Sequence, residues 1–535
     1  MHLATTSLAW IATLTVMTAE NAAPVLSPAA LNDYVAKFNR HDHTHFGQAV
    51  SNEDAARWME RNVPRFDCPD KQLEEIYHFR WWTFRKHIRD TPDGYVITEF
   101  LPEVSWSRKH NTINCPGGHH FREARWIRNP RYLDDYSVFW FRKGGRPRQY
   151  SFWIADSIHQ RALVLGDFTL AIDLLPDLIE NHREWEKSRL LPDGLFWQID
   201  DRDGMEYSAG GSGRRPSINS YMFGDARAIA AIAKVAGQHD LAAEFTAKAE
   251  NLRKLVVEKL WCSDANFFKT LPRSGEDGEQ PTLVDVRELV GFTPWYFHLP
   301  DPGKGYEVAW QQLMDPKGFK APFGPTTTEQ RHPRFTLSYE GHECQWNGPS
   351  WPFSTSITLT ALANVLNDFP QQDISVEDYF ETLRTYAKSH RFTREDGTVV
   401  PWIDENLNPF TGDWIARTRL STWKDGTWDP GKGGVERGKD YNHSTFCDLI
   451  ITGLVGLRPR ADGQVEVNPL VPDGTWDYFC LDQVPYRGHL LTILYDRTGK
   501  RYGKGMGLRI LIDGREISSA PRLQRILAPL PTTSK

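Results

Sequence analysis

The sequence predicts a mainly α protein, a barrel of concentric helices followed by a small antiparallel β-sandwich domain. Three observations carry this. From about residue 50 to 455, helical patterns follow one another with few strand signals between them. Their connections are long and rich in Gly, Pro and aromatic residues, whereas the loops of a simple bundle run short. From about Leu457 the hydrophobic period becomes alternation, punctuated by turn signals.

The start, MHLATTSLAWIATLTVMTAENAAP, has a short apolar run and then small residues. It reads as a signal peptide over residues 1–23, cleaved near Ala19 to Ala23, although it lacks a positively charged start. That predicts a secreted protein. The run is too short and too rich in Thr and Ser to be a stable membrane span, and no other stretch qualifies. Residues 24–70 read as an N-terminal extension and 71–456 as the barrel. Helices are expected over Asn52–Arg61, Lys71–Arg89, Tyr150–Leu165, Thr169–Trp185, Asn219–Gly237, Leu241–Leu260, Gly305–Met314, Ser350–Asn367, Val376–Ser389 and Tyr441–Gly456. Residues 457–535 form the β domain: VEVNPL, DYFCLDQV, HLLTILYD, GLRILIDG and REIS alternate, with PDG, RTGK and DGR as turns. The last residues, APLPTTSK, read as a frayed end.

A chain of 535 residues exceeds one small core and implies a large domain with one or two smaller ones. Net charge is −6 and the basic residues are scattered, so neither nucleic acid nor a polybasic membrane anchor is indicated. Cys68, Cys115, Cys262, Cys344, Cys447 and Cys480 are even in number and far apart, and for a large secreted protein one or two disulfides are expected. There is no CxxC, which argues against a zinc-thiolate site.

The 20 tryptophans are unusual, and several stand beside polar groups, as in RWW (80–82), QWNGPSW (345–351) and PWIDEN (401–406). An aromatic plate next to hydrogen-bonding groups suits a sugar, which has an apolar ring face and a hydroxyl rim. Glycosidic bonds are usually cut by two carboxyl groups, one protonating the leaving oxygen and one activating water or attacking the sugar. Two loops carry candidates. DGMEYS (203–208) holds Asp203 and Glu206; PWIDENLNPFTGDW (401–414) holds Asp404, Glu405 and Asp413 between Trp402 and Trp414. CPGGHHFREARW (115–126) gathers His119, His120, Glu123, Arg125 and Trp126. It lacks the HExxH spacing of a zincin, so these groups are read as sugar-binding or loop-bracing, with no metal and no cofactor. Trp153 and Asp156 sit near the start of the helix in YSFWIADSIHQ, and His443 lies in NHS, a formal glycosylation sequon at Asn442 whose place inside a motif argues against modification.

The order of these motifs resembles that of the (α/α)6-barrel glycosidases of the trehalase, family-63 and mannosylglycerate-hydrolase-like group. DGMEYS resembles their S-G-W-D-N-S segment and places Glu206 at the general acid. WNGPSWP (346–352) is similar to W-R-G-P-x-W-P. ENLNPFTG (405–412) resembles E-x-Y-N-P-x-T-G, with Glu405 at the general base. YNHSTFCDLIITGLVGLRP (441–459) is similar to the last inner helix of related barrels. Glu206 stands where the family carries Asp, and Asp203 remains a rival acid. Family 142, characterised on β-L-arabinofuranosides, is a further resemblance.

The resemblance implies an exo-acting, inverting glycoside hydrolase acting on a carbohydrate, with α-glucosides, α-mannosides or β-L-arabinofuranosides as candidate substrates. Trp153, Asp156, His119, His120, Glu123, Arg125, Trp126, Trp346, Asn347, Trp351, Trp402, Trp414 and His443 are the candidate sugar contacts. A polysaccharide lyase or sugar epimerase with a His or Tyr base is the alternative, kept alive by His119, His120, His443 and Arg125. A sugar-binding protein without catalysis fits less well, because both acidic loops are intact.

Overall fold

A computed structural model describes residues 23–42, 45–274, 280–422 and 432–531. The segment read as a signal peptide lies outside the described residues except for Ala23, and so do the last four residues of the tail.

The helices form two concentric layers that differ in burial. Gly117–Ala124, Ile154–Leu165, Pro216–Val235, Thr293–Tyr296, Pro352–Asp368 and a final turn at Leu449–Leu454 contact one another in that order. They are buried on nearly every side; along Pro216–Val235 sixteen of the 20 residues are buried. The outer layer contains Arg131–Arg142, Leu175–Arg189, His239–Leu260, Gln311–Met314 and Val376–Ser389. His239–Leu260 shows why it lies outside: only Phe245, Ala249, Leu252, Val256 and Leu260 are buried, a single stripe at three- and four-residue spacing. Pro216 and Pro352 open their helices, where a missing N–H costs nothing. Lys71–Lys86 completes the outer layer and is itself covered by Ala29–Asn39. The inner ring closes through Glu123, whose carboxylate accepts the backbone N–H groups of Phe446 (2.6 Å), Cys447 (2.9 Å) and Asp448 (2.7 Å).

That closure explains one departure from the sequence reading. Tyr441–Gly456 is not a continuous α-helix: residues 441–446 are irregular and a π-helix covers Leu449–Leu454. Glu123, held from another helix, has taken over the N–H groups an earlier turn would have used. The pattern expected over Thr169–Trp185 splits into Thr169–Asp173 and Leu175–Arg189, because Pro176 lacks the N–H to carry the ladder through. Gly305–Met314 begins as a 3-10 turn at Tyr306–Trp310.

The tail forms two antiparallel sheets, in agreement with its alternating sequence. One has five strands in the order Arg65–Asp67, Tyr478–Tyr486, His489–Asp496, Gly507–Ile512 and Arg515–Ala520. The other has three, Ile526–Pro529, Gln464–Val467 and Leu457–Arg458. Ala528 and Pro529, read as part of a frayed end, are therefore paired in a sheet. Residues 24–70 are more than an extension. Arg65–Asp67 is an edge strand of the five-stranded sheet, and Val25 and Leu26 pack over Cys480, Leu494 and Leu511 on that sheet.

The disulfide expectation is corrected. All six cysteines are free thiols, and five are buried. Cys68 belongs to the main hydrophobic core and Cys480 to a small separate cluster, and Cys447 donates to the Tyr77 carbonyl. Among the described residues no helix is long and apolar enough to cross a membrane.

Candidate active site

The inner helices share a direction, and the loops that enter them meet around one cavity of about 590 Å3. Its wall takes Cys115 from before Gly117–Ala124, Tyr150 from before Ile154–Leu165, Glu206 from before Pro216–Val235, Trp351 from before Pro352–Asp368, and Tyr441 and His443 from before the last turn. Glu206 and Glu405 both face it.

The Glu206 loop is shaped by Arg215, the residue just before the helix. Its guanidinium donates to Asp203 Oδ2 (2.8 Å), Ser208 Oγ (2.9 Å) and the Gly211 carbonyl (2.5 Å), so both arms of the loop are pinned to one cation. Gly204 turns the chain at φ 72°, and a Cβ there would meet Cys115 Sγ at 2.4 Å. Tyr207 is also left-handed, at φ 56°, where a non-glycine residue is strained. The Glu206 carbonyl accepts the Trp346 N–H (2.9 Å), tying this loop to the QWNGPSW segment. That segment is tied to the third motif by paired backbone bonds between Ser350 and Leu407 (2.9 and 3.0 Å). The three sequence motifs are thus one hydrogen-bonded assembly.

The two glutamates stand in opposite surroundings. Glu405 is fully buried and accepts from Arg437 Nε at 2.8 Å (Oε1) and from Cys344 Sγ at 2.5 Å (Oε2). Arg437 also binds Glu343 at 2.6 Å. Burial raises the Glu405 carboxyl above the usual range, and Arg437 opposes the rise. Among the described residues, no ion pair is formed by Glu206, while its neighbours Asp201 and Asp203 pair with Arg202 and Arg215. Burial, with like charge from Asp201, Glu405 and Glu99, pushes it up to about 8, so it holds its proton at neutral pH. Glu99, a third carboxyl on the wall, accepts from the Tyr441 hydroxyl (2.6 Å) and is likewise raised to about 8, mainly by burial.

Trp346 and Trp351 stack at 4.2 Å with 13° between their planes, and both line the cavity. Among the described residues, Trp346 Nε1 and His443 Nδ1 are buried without a hydrogen-bond partner, while His443 Nε2 lies 3.1 Å from the Glu405 carbonyl.

Of the other sequence candidates, most brace the barrel. Asp203 does not line the cavity: its carboxylate is wholly buried against Arg215 and Ser217. His119 is packed between Trp153 and Phe353. His120 bridges the Tyr136 hydroxyl and the Asn442 carbonyl, and Glu123 closes the ring. Arg125 and Trp126 both donate to Asp448 Oδ1 (2.6 and 2.7 Å). Trp153 is core, and Asp156 lines a different cavity. Asn347 donates to Glu340 (2.6 Å). Trp402 packs on Phe392 and Arg417, and Trp414 donates to the Arg391 carbonyl, both away from the cavity. The sequon residue Asn442 is buried and donates to the Thr98 carbonyl, which leaves no room for a glycan.

Sequence reasoning missed Glu99, Tyr150, Glu343, Cys344, Arg437 and Tyr441 on the cavity wall. Glu343 and Cys344 directly precede QWNGPSW, Tyr441 opens the YNHSTFC motif and Arg437 stands four residues before it, so adjacency to the motifs was an available signal. For Glu99, 306 residues from Glu405 in sequence, there was none.

Residues 109–444 match the mannosylglycerate hydrolase MGH1-like glycoside hydrolase domain, and residues 457–518 match the C-terminal domain of glycosyl hydrolase family 65. A solved structure named "Sialidase" is 42% identical with a TM-score of 0.86, covering 95% of this chain and 45% of its own. The GH78 family rhamnosidase of Bacillus sp. GL1 is 13% identical with a TM-score of 0.53, covering 85% of this chain and 42% of its own, a likeness of fold alone. The chain thus spans less than half the length of either protein. Over the helical barrel, the motifs that meet in the cavity and the matched domain coincide, and the chain belongs to the mannosylglycerate hydrolase MGH1-like glycoside hydrolase family.

Proposed function

We propose that this protein is an exo-acting, inverting glycoside hydrolase in which Glu206 is the general acid and Glu405 the general base. The observation that carries the reading is the pair's asymmetry. Glu206, raised to about 8, has a proton to give the departing oxygen at neutral pH. Glu405 has both oxygens held, by Arg437 and by Cys344, and is oriented to take a proton from water. In the hydrolytic step the glycosidic C–O bond breaks as the leaving oxygen takes the Glu206 proton. Water forms the new C–O bond on the opposite face and loses its proton to Glu405. The Trp346–Trp351 plate offers an apolar face to the sugar ring, and the unpartnered Trp346 Nε1 and His443 Nδ1 suit its hydroxyls.

The lyase or epimerase reading loses support: His119, His120 and Arg125 lie away from the cavity, and His443 holds the backbone of Glu405. A sialidase reading would need a cation for the sugar carboxylate: Arg437 is bonded to Glu405 and Glu343, and Arg202 and Lys432 are the other cations on the wall. Candidate substrates remain α-glucosides, α-mannosides and β-L-arabinofuranosides. A screen of aryl glycosides, with NMR of the first-formed anomer, tests the proposal. Release of the inverted anomer is expected; a retained anomer would overturn the base role of Glu405.

A further inference from the structure

The barrel has a second polar cavity, of about 300 Å3, at the opposite mouth. The same inner helices line it, but with later residues: Arg122 of Gly117–Ala124, Asp156 and Gln160 of Ile154–Leu165, Arg227 of Pro216–Val235, and Asn364 of Pro352–Asp368. An aromatic septum separates it from the first cavity. Trp153 packs on Tyr296 (5.7 Å) and Phe297 (6.2 Å), which line the second cavity, and on Phe353 (6.5 Å), which lines the first. The septum is built to fit: a Cβ on Gly118 would lie 2.0 Å from the Trp153 ring.

The electrostatics of this mouth are specific. Two of its arginines answer structural anions, Arg125 with Asp448 at 2.6 Å and Arg458 with Asp368 at 2.8 Å. Arg227, exposed at the rim, donates only to the Phe297 carbonyl (2.9 Å) among the described residues. Arg122 has a carboxylate no nearer than Asp156 at 3.8 Å, and its buried Nε has no hydrogen-bond partner. Asp156, 8% exposed, has an unpartnered Oδ2. A buried donor and a buried acceptor are therefore left open side by side, which is costly unless a ligand or water completes them.

We infer that this cavity is a second ligand site for a small polyol bearing one oxyanion, a sugar acid or a sugar phosphate. Arg122, held over the Tyr296 ring at 4.8 Å, and Arg227 take the oxyanion, and Asp156 and Gln160 take adjacent hydroxyls. The volume is at the lower end of small-molecule pockets and suits a single sugar unit. The site does not depend on the catalytic reading above, since no residue is shared between the two cavities.

Calorimetric titration of the intact protein with glucuronate, glucose 6-phosphate and glucose tests this. One of the two anions should bind one to one, at least about tenfold more tightly than glucose. Which anion binds decides between carboxylate and phosphate. Arg122→Gln and Asp156→Asn should each weaken that binding at least about tenfold. Hydrogen exchange on the wild type should show ligand protection in peptides covering 154–163 and 224–231. Equal affinity for all three probes, no binding of either anion at about 10 mM, or protection confined to residues 339–346 would overturn the assignment.

Discussion

Asp203 and Glu206 lie three residues apart in one acidic loop, yet they have opposite fates. Asp203 is wholly buried and paired with Arg215; Glu206 faces the cavity and is in no ion pair among the described residues. One carboxylate shapes the loop, and the other is left with a displaced proton affinity. The lesson is that the acidity of a loop does not identify its acid. What decides is which carboxylate the local cation claims.

That contrast can be broken in a graded way. Glu206→Gln and Glu405→Gln should each lower kcat by about 10²- to 10⁴-fold on a cleaved glycoside with the fold intact by circular dichroism. If both variants keep full turnover, the assignment of the pair fails. Asp203→Ala should act on stability, leaving the Arg215 guanidinium buried and unpaired at a cost of about 3–5 kcal/mol in urea unfolding. Activity per folded molecule should remain within severalfold of wild type, and a loss as large as that of Glu206→Gln would make Asp203 the acid after all.

Gly118→Ala tests the septum that separates the two cavities. Its new methyl must displace the Trp153 ring, and overpacking of this kind costs about 1–3 kcal/mol. An unchanged melting temperature would show that the ring can yield.

The pH dependence sharpens the contrast further. As the proposed general acid Glu206 would act in its protonated form, so kcat/KM should fall above about pH 8, by about tenfold per pH unit. Its folded-state proton affinity is raised above the unfolded value. Stability from this group is therefore complete below about pH 4.3 and is lost as pH rises toward 8. Glu206→Gln should lessen that slope, leaving the share that Glu99, also raised to about 8, contributes, whereas an unchanged slope would show that Glu206 is not a shifted group. The smallest effect belongs to the thiols: with all six free, a reductant should leave the melting temperature unchanged. A drop of several degrees would reveal a disulfide.

Much of this was legible beforehand. The two helix layers and the alternating tail follow from hydrophobic period, which is a property of neighbours in sequence. Val376–Ser389 has the bounds its pattern predicts, and at its start Ser375 and Asp378 form a capping box, a signal carried by neighbours in sequence. The Glu206 and Glu405 loops were readable because their glycines, aromatics and acids are contiguous. The cluster at 115–126 misled for the same reason. Its histidines, acid and arginine look like a site when read in a row, but on a short helix they point at Tyr136, Asn442 and Asp448 and lock the ring shut. The tryptophans at 402 and 414 misled likewise, being plates against Arg417 and Phe392 or a carbonyl clamp.

By itself, then, the sequence determined the layers, the β tail and the two loops that carry the carboxylates, because period, turn chemistry and local composition act over a few residues. Tertiary structure alone decided which carboxylate is which. Arg215 claims Asp203, Arg437 claims Glu405, and Glu99 comes from the far end of the chain to face Glu206 across the cavity. Proton affinity depends on burial and on charges within a few ångströms, and those neighbours are brought together only when the ring of helices closes.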